Sequence, residues 1–335
     1  MKRKILGLLT GGLLVAGMVI GQPKQPLATS AVPVHDPVMI KEKDTWYLFA
    51  TGMGISVWSS KDKQLWTAEK PVFSEPPTWA IENIKGYRGH TWAPDISYHN
   101  GLYHLYYSVS AFGKNTSAIG LAVNKTLDPA SKDFKWMDRG KVIQSVPGRD
   151  MWNAIDPNLV RDDKNQAWLS FGSFWNGIKL VRLNDDQTAP AQPEQWFTLA
   201  SRPRSFYLPD SVAGDAAIEA PFIFKKDGYY YLFVSFDYCC RGERSTYKVV
   251  AGRSEKLEGP YLDWEGVAMT LGGGTTVFEG SRDWHGVGHN AVITDGDKNL
   301  LVCHGYDAKD KGRSKLIIRE LKWRNGWPFV TPMPE

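Results

Sequence analysis

Cysteine is scarce, with Cys239, Cys240 and Cys303 the only three among 335 residues. None belongs to a C-x-x-C pair, and an odd count leaves at least one thiol outside any intramolecular bridge. A disulfide from Cys303 to one of the adjacent pair is one reading. Buried thiols acting as small apolar side chains is the reading preferred here. A surplus of charge is also missing: 40 Lys and Arg face 36 Asp and Glu. No basic patch stands out, which excludes a nucleic-acid-binding surface. There is no H-E-x-x-H helix, and His35, His90, His99, His104, His285 and His304 show no metal-ligand spacing. The glycine-rich "LGGGTTVFEGS" at 271–281 lacks the Gly-Lys-Ser/Thr ending of a phosphate loop and reads as a flexible loop. Helical periodicity is absent as well, so the chain reads as all-β.

The only long uncharged run lies at the start. "MKRKILGLLTGGLLVAGMVIGQP" has a basic beginning, then no charge from Ile5 to Gly21, then small and polar residues. It reads as a secretory signal, residues 1–21 and up to about residue 31 at the longest, and implies a secreted or periplasmic protein. An uncleaved anchor is the competing reading, weakened by the glycines and threonine inside the run. Removing Lys2, Arg3 and Lys4 with it lowers the formal charge from +4 to about +1, with no stable membrane insertion afterwards.

What is abundant is aromatic and turn-forming: 14 Trp, 14 Tyr, 14 Phe, 32 Gly and 20 Pro, a mixture that suits many short strands. Five polar residues each open an apolar stretch: Asp36 in "VHDPVMI", Asp95 in "WAPDISY", Asp156 in "NAIDPNLV", Glu219 in "IEAPFIF" and Asn290 in "GHNAVIT". A second strand follows each behind an Asn/Asp/Gly turn: "TWYLFATG", "GLYHLYYSVS", "QAWLSFGS", "GYYYLFVS" and "NLLVCHG". Third strands follow in "GISVWSS", "SAIGLAVN", "GIKLVRL", "YKVVAGRS" and "SKLIIREL", while fourth strands are fainter and often carry Trp. The openings recur every 59 to 71 residues, a length that accommodates a four-stranded blade. Residues 32–335 therefore read as a single-domain five-bladed β-propeller, which closes on itself and leaves only short edges.

In a propeller the innermost strands line a central channel, so residues opening them converge on one mouth. Asp36, Asp156 and Glu219 then form a cluster of like charges, and at least one pKa must rise. Glycoside hydrolysis needs one carboxyl protonated and another ionised. Glu219 is the better acid, with a longer reach and the apolar flanks Ile218, Ala220 and Pro221. Asp36 is the better base, and Asp156 sits between them, tuning the acid and holding sugar hydroxyls. Asp95 is a fourth acid that stands behind these three. Any single one could simply cap backbone amides at a turn. Their recurrence beside proline carries the argument.

The strings "HDPVMI", "TWAPDI", "SAFGKNTSAIGLA", "NAIDPN", "SFGSFWNGI", "IEAP" and "GHNAV" together resemble glycoside hydrolase family 43, and within it the arabinanases. The resemblance runs from about residue 34 to 330. It implies a five-bladed propeller that hydrolyses arabinose- or xylose-containing polysaccharides with inversion, with Asp36 as general base, Glu219 as general acid and Asp156 as modulator of the acid. Inversion requires the two carboxyls to stand about 6.5–9.5 Å apart. It further implies that His289 sits in the channel and holds a calcium-centred water cluster, an unusual site for a cation that prefers oxygen. By composition alone His289 would be a core histidine.

Sugar subsites combine aromatic faces with amide and hydroxyl groups. Trp92, Phe112, Trp152 and Trp175 are the expected platforms, with Gly113, Asn153, Ser173 and the carboxylates Asp36 and Asp156 hydrogen-bonding the substrate. Most of the tryptophans must instead pack blades together. "SAFGKNTSAIGLA" favours linear α-1,5-arabinan or its oligosaccharides as the partner of a monomeric enzyme, with endo and exo action both open. A β-xylosidase or α-L-arabinofuranosidase, a non-catalytic sugar-binding propeller and a protein-interaction scaffold are the rival readings. The last suits the fold but not the acids.

Overall fold

The computed structural model describes residues 25–331, and the leader and the last four residues lie outside it. Five antiparallel sheets follow one another along the chain, as the repeat implies. The innermost strands are Val38–Glu42, His90–His99, Asn158–Arg161, Ile218–Lys226 and Trp284–Asp295. Each pairs with the strand after it through a tight turn: Thr45–Ala50, Leu102–Val109, Ala167–Phe171, Tyr229–Phe236 and Lys298–Asp307. The turns use residues that tolerate left-handed backbone, such as Lys43, Asn100, Asn165, Asp227 and Gly296.

Five apolar clusters lie between adjacent blades rather than inside any one. Phe49 and Val57 of the first blade meet Leu105 and Tyr107 of the second. Ile119 and Leu121 meet Leu169 and Phe171. Ile178 and Leu180 meet Leu232 and Val250, and Phe233 meets Leu301 and Cys303. The ring closes where Val32, Leu48 and Trp66 pack with Val302 and Leu316 of the fifth blade. The segment ahead of Asp36 strengthens this joint: Leu27–Ala28 adds an edge strand to the first blade, and Val32 accepts a backbone hydrogen bond from Leu316.

Two sequence-based expectations need correction. The stretch read as a flexible loop contains Thr275–Phe278, the outermost strand of the fourth blade, paired with Lys248–Ser254. Its β-branched and aromatic residues outweigh the glycines before it. The disulfide joins Cys239 to Cys240, and Cys303 is the buried free thiol. Cys303 lies in the core of the joint between the fourth and fifth blades, whereas the adjacent pair lies in a loop, with Cys240 at φ 65°. Among the described residues, no helix is long and apolar enough to cross a membrane.

Trp66 is fully buried at the closing joint. Trp66→Ala is expected to cost about 3–5 kcal/mol of stability, the usual range for deleting a core aromatic ring. Denaturant unfolding would read this, and a loss below about 1 kcal/mol would mean that the joint does not need the ring.

Candidate active site

Each innermost strand has one residue in left-handed backbone near its start, and in the second, fourth and fifth blades the ladder slips there as well. Pairing with the second strand slips between Trp92 and Asp95, between Glu219 and Phe222, and between Gly288 and Ala291. At this point one residue per blade adopts left-handed backbone: Asp36 at φ 54°, Ala93 at 38°, Asp156 at 59°, Ala220 at 56° and His289 at 51°. Proline follows in four of the five: Pro94 and Pro221 fall in a ladder slip, and Pro37 and Pro157 just before the strand, so no ladder hydrogen bond is lost. These are the equivalent positions of the five blades. The sequence-based register of 36, 95, 156, 219 and 290 therefore shifts in three blades, because hydrophobic alternation cannot count the residues in a bulge.

The left-handed turn aims each backbone N–H sideways, toward the preceding blade. Ala93 donates to Thr51 Oγ1 at 2.8 Å, Asp156 to Ser108 Oγ at 3.0 Å and His289 to Ser235 Oγ at 2.8 Å. Asp36 donates to His304 Nδ1 at 3.1 Å, and Ala220 to Asp156 Oδ2 at 3.2 Å. In four blades the acceptor sits near the end of the second strand. In the third, Gly172 holds that place, its N–H bonded to Ile155 O, and Asp156 supplies the acceptor instead. Asp156 thus touches the backbone immediately after Glu219.

Asp36, Asp156 and Glu219 meet at the mouth as expected. Asp36 Oδ1 lies 2.8 Å from His35 Nδ1 and 3.0 Å from His289 Nδ1, and Oδ2 accepts from Thr51 Oγ1 at 2.6 Å. Burial by itself would raise this carboxyl, but the charges and hydrogen bonds of His35 and His289 outweigh it and hold Asp36 well below the usual range. Asp156 behaves oppositely. Burial pushes it well above the usual range, helped by the neighbouring charges of Glu219 and Asp36 and only partly opposed by His289. Burial alone would depress His289, yet the surrounding carboxyls, Asp36 foremost, hold the imidazole up at about 9. His304 is kept neutral by burial and by His35, which agrees with its Nδ1 accepting the Asp36 amide.

The Glu219 carboxyl is not in the purely apolar setting its neighbours in sequence suggest. Ile218 and Ala220 are buried, but Oε2 accepts from Ser173 Oγ and Oε1 from Tyr247 Oη, each at 2.7 Å. These hydroxyls fix the carboxyl's direction. Burial, followed by the Glu219 charge, holds the Tyr247 phenol well above its usual range, so it stays protonated and donates. Asp95 fills the backbone-capping role: buried, it accepts from Leu159 N at 2.7 Å and lies 3.4 Å from Asn158 Nδ2. Burial lifts it to about 7, and beyond it the channel is lined by Ile40, Ile96, Phe222 and Val292.

The expected sugar contacts divide. Trp92 is half-exposed one residue before Ala93, Phe112 is 79% exposed, Gly113 is exposed beside it, and Asn153 is buried with Oδ1 unpartnered. Asn115 donates to the carbonyl of Asp150, which ties the Phe112 loop to the segment before Asn153. Ser173 donates its hydroxyl hydrogen to Glu219, and Trp175 is corrected as a platform: it is 2% exposed, with its indole N–H on Asp210 O. Trp152 packs between Phe171 and Trp196. Thr51, Tyr247, Ser108 and Ser235 were missed. A hydroxyl closing the second strand was visible in "TWYLFAT", "LYHLYYS" and "YYYLFVS", but its use depends on the next blade.

A propeller whose channel mouth gathers carboxyls tuned in opposite directions, Asp36 downward and Asp156 upward, has the asymmetry that acid–base hydrolysis uses. Comparison with known proteins specifies the class. The model of glycosyl hydrolases family 43 matches residues 27–328. The chain is 55% identical over 300 residues to an extracellular exo-α-(1→5)-L-arabinofuranosidase of Cellvibrio japonicus, covering 89% of this chain and 86% of that protein. It is 44% identical to an extracellular endo-α-(1→5)-L-arabinanase of Bacillus subtilis, covering 88% and 87%. The solved α-L-arabinanase of Cellvibrio cellulosa with arabinohexaose superposes with a TM-score of 0.88 at 53% identity, covering 92% of this chain and 96% of that one. The chain belongs to glycosyl hydrolases family 43, and it is a glycoside hydrolase.

Thr51 serves both Asp36 and the neighbouring blade, so Thr51→Val removes one donor from Asp36 and one acceptor from Ala93. Asp36 loses the donor that fixes its direction, and misplacement of a reacting group is expected to lower kcat/KM roughly tenfold or more. The hydrogen bond favours the charged form, so its removal raises the Asp36 pKa, and the acidic limb of the pH–rate profile is expected to move to higher pH. An unmoved limb would show that Thr51 does not govern the Asp36 ionisation.

Proposed function

We propose that this enzyme hydrolyses α-1,5-L-arabinofuranosidic bonds in plant cell-wall arabinan or its oligosaccharides, with inversion and outside the cytoplasm. The observation that carries the reading is the opposite tuning of Asp36 and Asp156 around Glu219. It is supported by relatives named for exo and endo cleavage of the same linkage, both named extracellular. The exported leader read from the sequence agrees with them.

In this mechanism Asp36, held ionised by His35 and His289, takes a proton from a water that attacks the anomeric carbon. Glu219 gives its proton to the leaving oxygen. The Ser173 and Tyr247 hydroxyls take one acceptor site on each Glu219 oxygen and so fix the direction in which the proton is given. Asp156 positions the strand that carries Glu219 by accepting from Ala220 N. Trp92 and Phe112 offer faces to the sugar, and Asn153 Oδ1 offers an acceptor.

The residues beside His289 fit a water-rich calcium site. Nδ1 is engaged by Asp36, which leaves Nε2, and the next residue, Asn290, is buried with both carboxamide atoms unpartnered. An ion would be held there through His289 Nε2 and water only after that nitrogen gave up its proton, and it would then replace the imidazolium charge with its own. Chelation is expected to lower the melting temperature and kcat together, and added calcium to restore both. His289→Gln should abolish that response.

Two variants separate the catalytic roles. Asp36→Asn is expected to lose turnover on every substrate, because no other group activates the water. Glu219→Gln should harm natural arabinan far more than substrates with good leaving groups. Equal losses on both would remove Glu219 as the acid. Proton NMR of products from linear arabinan reads the anomeric outcome, and product sizes over time separate endo from exo action.

A further inference from the structure

The vicinal pair Cys239–Cys240 lies beside the catalytic base through a short chain of contacts. Cys240 Sγ is 3.7 Å from His35 Nε2, and the Cys240 N–H donates to Tyr306 Oη at 2.7 Å. The Tyr306 hydroxyl lies 2.8 Å from the same His35 Nε2, and His35 Nδ1 is 2.8 Å from Asp36 Oδ1. One ligand atom from each of His35, Cys239 and Cys240 falls within 4.8 Å of the others. Cys240 is exposed and Cys239 half-exposed, so the sulfurs are open to solvent reagents. In the tautomer that directs Nδ1–H at Asp36, the lone pair of His35 is on Nε2, on the side of the sulfurs. None of these atoms has a part in the hydrolytic steps except through His35.

We propose that Cys239, Cys240 and His35 form a redox-gated site for a thiophilic divalent cation of the zinc class, and that its occupancy weakens the base. In the disulfide form the sulfurs are weak ligands and the site is closed. A small dithiol opens it: two electrons and two protons pass to the S–S bond, which breaks to two thiols, while the dithiol closes to its own disulfide. The cation then displaces one proton from each thiol and takes two thiolates and His35 Nε2, leaving a fourth position for water, the S₂N set that suits zinc. Coordination withdraws density from the imidazole and deprives Tyr306 of its partner. The Nδ1–H becomes a stronger donor to Asp36, which holds its charge more tightly and abstracts a proton less well. This last consequence rests on Asp36 being the base, whereas the cation site itself does not.

The test uses the full chain, reduced with dithiothreitol, freed of it under nitrogen and titrated with cadmium alone. The readout is sulfur-to-cadmium charge-transfer absorption. The expected result is saturation at one ion per chain in the reduced protein and no band in the oxidised protein. The band should be lost in Cys239→Ser/Cys240→Ser, and affinity should fall at least about tenfold in His35→Gln. If the serine variant fails to fold, reduced wild type alkylated with iodoacetamide takes its place, since buried Cys303 is shielded. A reduced protein without the band, or unchanged affinity in His35→Gln, would overturn the site. In parallel, zinc is expected to slow hydrolysis by the reduced enzyme about tenfold or more, reversed by chelation, with no effect on the oxidised enzyme. Stoichiometric binding with unchanged turnover would overturn the link to the base while the site stands. An inactive wild type would count against the arabinan reading and leave the absorbance result to decide the site.

Discussion

Five backbone amides, each turned out of its own strand and bonded to a side chain of the preceding blade, hold the channel mouth together. Each requires a non-glycine residue in left-handed backbone, which costs about 1–3 kcal/mol. The ring tolerates that cost because the inter-blade cores already press the strands together and the bulge leaves those amides no ladder partner. The same turn that frees the amide also carries the side chains of Asp36, Asp156 and His289 to the mouth, so the device that joins the blades positions the chemistry. A blade cannot shift without moving a functional group of its neighbour.

Electrostatics at the mouth follows from crowding. Three carboxyls brought out of water would repel one another and pull up their pKa values. The structure answers with asymmetric donors rather than equal ones. Asp36 receives two imidazoles and a hydroxyl, while Asp156 receives one backbone amide, so one carboxyl stays ionised and the other leans toward the neutral form. His304, chemically the same as His35 and His289, is kept neutral and used as an acceptor. Chemical type alone does not decide a histidine's role here, because burial and the first neighbour do.

The repeat, the number of blades and the three acids were legible because each leaves a local mark: alternation, a turn and a polar residue beside proline. Register was not. Asp95 looks equivalent to Asp36 by its place before an apolar run, yet it lies two residues past the bulge and caps Leu159 and Asn158. The prolines at 37, 94, 157 and 221 carried the correct alignment all along. Trp175 and Ser173 illustrate the other limit. Both lie in "SFGSFWNGI", one of the strings that carry the family resemblance, but the segment around Asp210 covers one and the other donates to Glu219.

By itself, then, the sequence determined the five-fold repeat and the family. Hydrophobic period, turn residues and short polar strings are properties of neighbouring positions, and neighbours in a chain stay neighbours in any fold. Only the tertiary structure decided which acid is ionised, which hydroxyl orients Glu219 and that two adjacent cysteines stand beside His35. Those outcomes depend on contacts between residues far apart in the chain, such as Asp36 with His289, Glu219 with Tyr247 and His35 with Cys240, and on the water excluded when the blades close around them.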